Sequence, residues 1–323
     1  RLVSEMQYVR LGKAGVKVSR ICLGTAFRGQ DDDDVAVRTI DRAIDLGVNF
    51  IDCANYYGRG RSETLLGRAI QGRRDDLFIT TKVWSQMGDL PNDKGSSRYH
   101  IIREVERSLV RLGTDHIDLY LLHNWDPDTP LEESLQACDD LVRQGKVLYI
   151  GACNWTAAQV VEGMWLCERH GLRPLSCLQN QYSLLHRFEC EPELLPMCRI
   201  HGLGMMTYSP LAIGLLSGRF RRGQEPPAGS PWAQGMRFEQ AMTEKRDRIV
   251  ATLIDIAAKR GKTPGAVALA WILDHDEVTA PIIGPDQPEH VDDVFGGMGW
   301  QLPAEDRASL DEASEPDYLE RYH

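Results

Sequence analysis

The chain has 323 residues, 42% of them hydrophobic, and a formal net charge of −10, with an isoelectric point near 5.4. That excess of acid argues against a broad nucleic-acid footprint or attraction to anionic membranes, though a local basic pocket for a phosphate stays compatible with it. Length alone suggests roughly two domains, but α/β barrels commonly use about 250 residues or more as one, and a single domain over 1–323 is expected.

The N-terminal "RLVSEMQYVRLG" lacks the apolar core of a signal peptide, and Met6 is a plausible native start, so that residues 1–5 need not be native. A short hairpin is read in "YVRLGKAGVKVSR", and the first strand in "ICLGT". Helix 35–46 follows, with Val37, Ile40 and Ile44 on one face. The acidic run Asp31 to Asp34 before it suits the positive end of the helix dipole. Next come strand 48–52, a helix over about 62–70, strand 77–82 and helix 100–112, where Ile101, Val105 and Leu109 share a face. Strand 117–123 leads to helix 131–144, stopped by Gly145. Strand "VLYIGA" leads to helix 156–170, capped by Thr156 and ended by Gly171. Strand 175–179, a helix over about 191–201 ended by Gly202, and strand "GMMTYS" follow. An irregular insertion at roughly 210–243 precedes helices 245–260 and 264–273, strand "TAPIIG", helix 288–296 and a terminal helix near 304–313.

Alternating strands and helices leave two architectures, a closed (β/α)8 TIM barrel or an open doubly wound sheet. The open sheet usually carries Gly-x-Gly-x-x-Gly after its first strand. Here that turn is "GTAFRG", so the barrel is expected, preceded by the hairpin and carrying a long loop after strand seven and extra C-terminal helices. The eight cysteines, Cys22, Cys53, Cys138, Cys153, Cys167, Cys177, Cys190 and Cys198, show no Cys-x-x-Cys pair. Most lie in apolar runs and read as buried thiols of a reducing compartment, which implies a cytoplasmic protein. No apolar stretch is long enough to span a bilayer, and no clustered His/Asp set suggests a metal.

Four residues stand at strand ends: Asp52 closes "VNFID", Tyr57 follows five residues later, Lys82 closes "LFITTK" and His123 closes "IDLYLLH". Ligands of parallel α/β folds bind at the carboxyl ends of strands. Each residue alone has a bland reading as a solvated end, a turn former or a satisfied histidine. Three successive strands delivering an acid, a phenol, an amine and an imidazole to one edge suggest one site that moves a proton and holds a polarised oxygen.

The chain resembles the aldo-keto reductase superfamily, and within it the branch of the potassium-channel β subunits and their bacterial relatives. The resemblance is carried by "LGKAGVKVSRICLGT", "DRAIDLGVNFIDCANYYGRGRSETLLGRAI", "RSLVRLGTDHIDLYLLHNWD", "VRQGKVLYIGACNW", "LQNQYSLL", "TYSPLAIGLLSGRF" and "PIIGPDQPEHVDD". It implies an NAD(P)H-dependent reductase of small aldehydes or ketones with a tetrad of Asp52, Tyr57, Lys82 and His123. Tyr57 is then the proton donor, Lys82 its tuner, Asp52 the partner of Lys82, and His123 the residue that orients the carbonyl. A free phenol, with a pKa near 10, is a poor acid at neutrality, and a neighbouring ammonium favours its phenolate.

The same resemblance assigns the nicotinamide carboxamide to Asn154 and Gln179 and stacking on its ring to Tyr208. It assigns the pyrophosphate to Ser209, Pro210, Leu211, Gly214 and Leu215, with Ser217 and Arg219. Gly24, Thr25, Asp52, Cys153, Ile283, Gly284, Asp286, His290 and Asp293 complete the expected cofactor set. Cys153 stands where the family often has Ser, Asp286 where Ser, Arg or Lys is frequent near the adenosine 2′-phosphate, His290 for Gln or Arg, and Val294 for Asn. NADPH is the expected cofactor, and Asp286 keeps NADH open, because a ribose hydroxyl welcomes an acidic acceptor. Trp84, Trp125 and Asn124 are expected at the substrate mouth, with further polar reach from Asp126. The insertion holding Pro226, Pro227 and Trp232 is read as a lid. The substrate leans to a sugar-like or polycyclic hydroxylated ketone, and a homo-oligomer is compatible. The alternative is a cofactor-binding regulatory subunit with slow turnover.

Overall fold

The computed structural model describes residues 6–295 and 299–317. Residues 1–5 and the last residue of the expected helix 288–296 lie outside them. A two-stranded antiparallel hairpin, β1 (Tyr8–Arg10) and β2 (Lys17–Ser19), precedes eight parallel strands: β3 (Cys22–Gly24), β4 (Phe50–Asp52), β5 (Phe78–Val83), β6 (Ile117–Leu122), β7 (Val147–Cys153), β8 (Cys177–Gln181), β9 (Gly204–Tyr208) and β10 (Val278–Ile283). They pair in chain order, and β10 returns to β3, so the barrel is closed.

The helices are α1 (Asp33–Asp45), α2 (Arg61–Ala69), α3 (Arg98–Leu112), α4 (Leu131–Arg143), α5 (Ala157–His170), α6 (Leu195–His201), α7 (Phe238–Ala241), α8 (Glu244–Arg260), α9 (Pro264–Leu273), α10 (Pro288–Phe295) and α11 (Ala304–Ala313). Their starts follow from side chains. The Asp32 carboxylate accepts the N–H groups of Asp34 and Val35, so α1 begins two residues before the apolar pattern does. Thr156 and Gln159 form a reciprocal capping box at α5.

Side chains alternate across each strand, giving two apolar layers. Cys22, Phe50, Phe78, Leu119, Leu121, Cys153, Cys177 and Met206 fill the barrel interior, joined by Leu11 and Val18 of the hairpin. The outward set packs on the helices. Lys13 N–H donates to Gly202 O at 2.8 Å just before β9, so the hairpin plugs the mouth at the strand N-termini. A Cβ on Gly12 would lie 2.4 Å from Gly202 O, and its φ is +56°. That position admits only glycine without rearrangement.

Two strands start two residues later than expected. β4 starts at Phe50 rather than 48, because the Asn49 side chain turns to the hairpin, accepting Ser19 N–H at 2.7 Å and donating to Lys17 O at 3.2 Å. β8 runs two residues later than expected, through Gln179, Asn180 and Gln181. Polar residues extend this strand because its far end lines a polar site.

Candidate active site

Strand ends bring the four predicted residues together. Register places Asp52 beside Gly24 and Thr80, and Lys82 beside Leu121. Asp52 and Lys82 are 2% and 0% exposed, so their charges must satisfy each other. Lys82 Nζ donates to Asp52 Oδ2 at 2.6 Å, to Cys53 O at 2.7 Å and to Tyr57 Oη at 3.3 Å. An ammonium has three N–H bonds, and all three have acceptors here. Asp52 Oδ1 accepts Gln179 Nε2 at 2.9 Å. Tyr57 enters from the turn after β4, and its ring meets the His123 ring edge-on at 5.8 Å between centroids. The His123 backbone N–H donates to Val83 O at 2.9 Å, while its Nδ1 is buried without a partner among the described residues.

The electrostatics divide the two candidate acids. Burial, then Lys82 and Arg28, push the His123 imidazole down to about 3, so it is neutral near pH 7. Burial raises the Tyr57 phenol by more than Lys82 draws it down. The pull expected from Lys82 is present, but the net effect is upward, and the phenol keeps its proton. Burial alone disfavours the Lys82 ammonium, yet Asp52 and Tyr57 outweigh it and hold the lysine above its usual range.

Against known proteins, residues 20–315 match the model of the aldo/keto reductase family. The chain belongs to that family. It is 39% identical over 312 residues, 93% of each chain, to a Bacillus subtilis (strain 168) protein named "Uncharacterized oxidoreductase YrpG". It is 34% and 33% identical over 294 residues to proteins of Arabidopsis thaliana and Oryza sativa subsp. japonica, each named "Probable voltage-gated potassium channel subunit beta". Both alignments cover 88% of this chain and 89% of the relative. The resemblance to this branch is thus shown.

Aldo/keto reductases use nicotinamide cofactors, and the residues here fit one. After β9, Ser209, Ala212, Ile213 and Gly214 all have left-handed φ, at 53°, 50°, 55° and 84°. Successive turns of this kind point backbone N–H groups to one side. Those of Leu211, Ile213 and Gly214 meet no acceptor among the described residues. Such a nest suits a pyrophosphate. Pro210 carries no N–H, and the Leu211 and Leu215 side chains turn to the core, so this stretch offers backbone. Ser217 Oγ accepts the Arg219 N–H at 3.4 Å, and the exposed Arg219 has no carboxylate partner among the described residues.

The two amides keep capacity for a carboxamide. Asn154, itself left-handed at φ 58°, donates to His123 O at 3.0 Å and accepts Tyr208 Oη at 2.8 Å. One N–H and one lone pair remain. Gln179 Oε1 accepts the Cys153 thiol at 3.3 Å and keeps its second lone pair. Cys153, where the family often has Ser, is thus a weak donor to Gln179. Tyr208 is half-buried, and its phenol is pushed up to about 12 by burial.

Other expected residues have internal roles. The Thr25 hydroxyl lies 3.0 Å from Asp52 O and 2.8 Å from Ser62 Oγ. Gly24 allows β10 to approach, since a Cβ there would be 2.9 Å from Ile282. Ile283 is buried at the end of β10 and Gly284 exposed beyond it. The half-buried Asp286 faces the Gly29 N–H: a Cβ on Gly29 would lie 2.6 Å from Asp286 Oδ2. Burial raises the Asp286 carboxyl against the pull of that N–H and of His290. His290 and Asp293 are exposed on α10, and Val294 packs on the core.

Trp84 and Trp125 follow β5 and β6. Trp84 Nε1 is buried without a partner among the described residues, and Lys94 Nζ sits 4.6 Å above its ring. Trp125 packs edge-on against Trp155 at 5.1 Å. Asn124 lies between His123 and Trp125, partly exposed. Asp126, by contrast, is tied into its own loops, accepting Ser96 N–H at 2.6 Å and Thr129 Oγ1 at 2.8 Å. Trp232 does not stand open as a lid residue. It is 8% exposed, packs on Phe238 and donates to Ile213 O at 2.9 Å, pinning the insertion to the left-handed turn.

Sequence reasoning missed the polar cluster behind this site. Glu63 and Glu104 are fully buried, although within amphipathic helices they read as solvated. Their signal was faint: each lies on the apolar side of its helix.

Proposed function

We propose that this protein is an NAD(P)H-dependent reductase that converts an aldehyde or ketone to an alcohol, with Tyr57 as the general acid. A nicotinamide coenzyme supplies the hydride when bound. The carbonyl oxygen must then gain a proton. The observation that carries the reading is the contrast between two neighbours: a Tyr57 phenol that keeps its proton 3.3 Å from an ammonium, and a His123 ring that has none to spare near neutrality. As Tyr57 Oη passes its proton to the substrate oxygen, Lys82 stabilises the phenolate left behind and Asp52 holds Lys82 in place. Neutral His123 orients the carbonyl by a hydrogen bond.

Asn154 and Gln179 would hold the carboxamide, Tyr208 would stack on the ring, and the turn at 209–215 with Arg219 would take the pyrophosphate. NADPH is favoured, with NADH admitted by Asp286. Trp84, Trp125 and Asn124 would wall a pocket for a hydroxylated, sugar-like or polycyclic ketone. Small molecules are the proposed partners, alongside a second copy of the chain; the charge of −10 speaks against nucleic acid, and no helix among the described residues is long and apolar enough to cross a membrane. Eight buried free thiols support a reducing compartment such as the cytoplasm.

The test is Tyr57→Phe. Steady-state oxidation of NADPH with a panel of aldehydes and ketones should fall by about 10²-fold or more, while the cofactor dissociation constant stays close to wild type. Near-normal turnover would remove Tyr57 from the mechanism. The potassium-channel names of two relatives favour a second reading, a regulatory subunit that binds cofactor and docks on a partner. Tight NADPH binding with negligible turnover of the wild type across the panel would select it.

A further inference from the structure

Behind the tetrad, outside the barrel wall, lies a cluster that the proposed chemistry does not use. Thr81 and Lys82 are neighbours on β5 and point through opposite faces of the sheet. Lys82 reaches the barrel interior. Thr81 reaches the helix layer, where its hydroxyl donates to Glu63 Oε1 on α2 at 2.6 Å. Glu63 Oε2 in turn accepts Arg111 Nε from α3. The Arg111 guanidinium also lies 3.8 Å from Glu104 Oε2, and Arg107 donates to Glu104 Oε1 at 2.8 Å.

Glu104 closes the chain by accepting Asn55 Nδ2 at 2.9 Å. Asn55 stands two residues before Tyr57, and its backbone N–H donates to Lys82 O at 3.4 Å. The stem of Arg111 lies against the turn that carries Tyr57, for a Cβ on Gly60 would be 2.6 Å from Arg111 Cδ, and Gly60 has φ +97°. Glu63, Glu104, Asn55 and Thr81 are each 0% exposed.

Two buried carboxylates are costly unless fully paired, and two guanidiniums balance them here. Apolar packing would hold α2 against α3 at less cost. What the ionic version adds is direction. One end grips β5 beside Lys82, and the other grips the loop two residues before Tyr57. We infer that the buried Glu63–Arg111–Glu104 bridge is a positioning device that sets the Tyr57–Lys82 contact from behind the barrel wall. None of its members touches the reacting atoms. The functional consequence rests on the proposed role of Tyr57, but the geometric claim can be read without turnover.

The experiment uses full-length protein labelled with ¹³Cζ-tyrosine. Among the ten tyrosines, the Tyr57 resonance is identified as the one missing in Tyr57→Phe. Its titration midpoint is followed in wild type, in Glu104→Gln and in Thr81→Val, with Thr81→Ser as the conservative control that keeps the hydroxyl. Widening the 3.3 Å contact by about 1 Å weakens the pull of the ammonium on a still-buried phenol, so the midpoint should rise by about 0.5 pH unit or more. It should rise in Glu104→Gln and in Thr81→Val but not in Thr81→Ser. Turnover should fall about tenfold or more with the midpoint, with the cofactor dissociation constant unchanged within about twofold. The midpoint decides: an unchanged or lowered value in either folded variant, or a Thr81→Ser protein shifted as far as Thr81→Val, overturns the inference. Normal turnover in Tyr57→Phe alongside a moved midpoint would instead leave the bridge standing and remove the proposed acid.

Discussion

Replacing Lys82 by methionine tests how the site is held together. Methionine fills much of the space of the lysine stem but takes away all three N–H bonds. Asp52, with 3% of its side chain exposed, loses the donor at 2.6 Å to Oδ2 and keeps Gln179 on Oδ1 at 2.9 Å. Removing one partner of a buried ion pair leaves an uncompensated charge and costs about 3–5 kcal/mol. Lys82→Met should therefore lose about that much stability, a large fraction of a domain's total of roughly 5–15 kcal/mol. That loss comes from the stranded charge rather than from packing. Adding Asp52→Asn removes the charge, so the double variant should recover about 2 kcal/mol or more relative to Lys82→Met, a strong positive coupling in the cycle. Urea unfolding of wild type, both single variants and the double variant at pH 7 reads this as shifts of midpoint at constant slope. A Lys82→Met protein within about 1 kcal/mol of wild type, or a double variant no more stable than that single one, would refute the reasoning.

Asp286→Arg should move the ratio of NADPH to NADH dissociation constants toward NADPH by about tenfold, equivalent to ~1.4 kcal/mol; titration of both cofactors against both proteins measures it, and an unmoved ratio means that position 286 stays on Gly29 and away from the ribose. His123, held down at about 3 by burial, Lys82 and Arg28, lies below its unfolded value of about 6.5. The unfolded chain then binds the extra proton first, so stability present above about pH 6.5 is lost as pH falls toward 3. From pH 6.5 to 5 this one group contributes about 2 kcal/mol of loss, and His123→Gln should lose that much less over the same interval in urea unfolding; parallel curves would contradict the neutral buried imidazole.

Asp52, Lys82 and His123 were legible because each ends an apolar run, and a strand in a parallel fold announces both its period and which end carries ligands. Tyr57 was read beside them as a phenol just past a strand, and the resemblance selects it over its neighbour Tyr56, which is nearly half exposed. The carboxylates behind the wall were illegible for a different reason. Whether Glu63 on α2 is solvated or buried is decided by Arg111 on α3, a partner 48 residues away, and no local window contains both. Asp126 misled in the opposite sense: a polar residue beside the site looked available, but its Oδ2 already accepts the Ser96 N–H and the Thr129 hydroxyl, and its Oδ1 the Asp128 N–H. The two-residue displacement of β8 arises because Asn180 and Gln181, polar residues past the expected end at 179, stay paired with Thr207 and Tyr208 of β9.

The opposed directions of Thr81 and Lys82 bear on how this chain can vary. A substitution at either residue changes one contact. An insertion or deletion of one residue within β5 exchanges them, because side-chain direction has a period of two. The ammonium would then face the helix layer and the threonine the barrel axis, and no compensating substitution nearby would restore both. The strands that carry Asp52, Lys82 and His123 are thus fixed in length even where their composition is free. Length differences among relatives should fall in connecting segments such as 84–97 and 210–243, where an added residue leaves the parity of every strand intact.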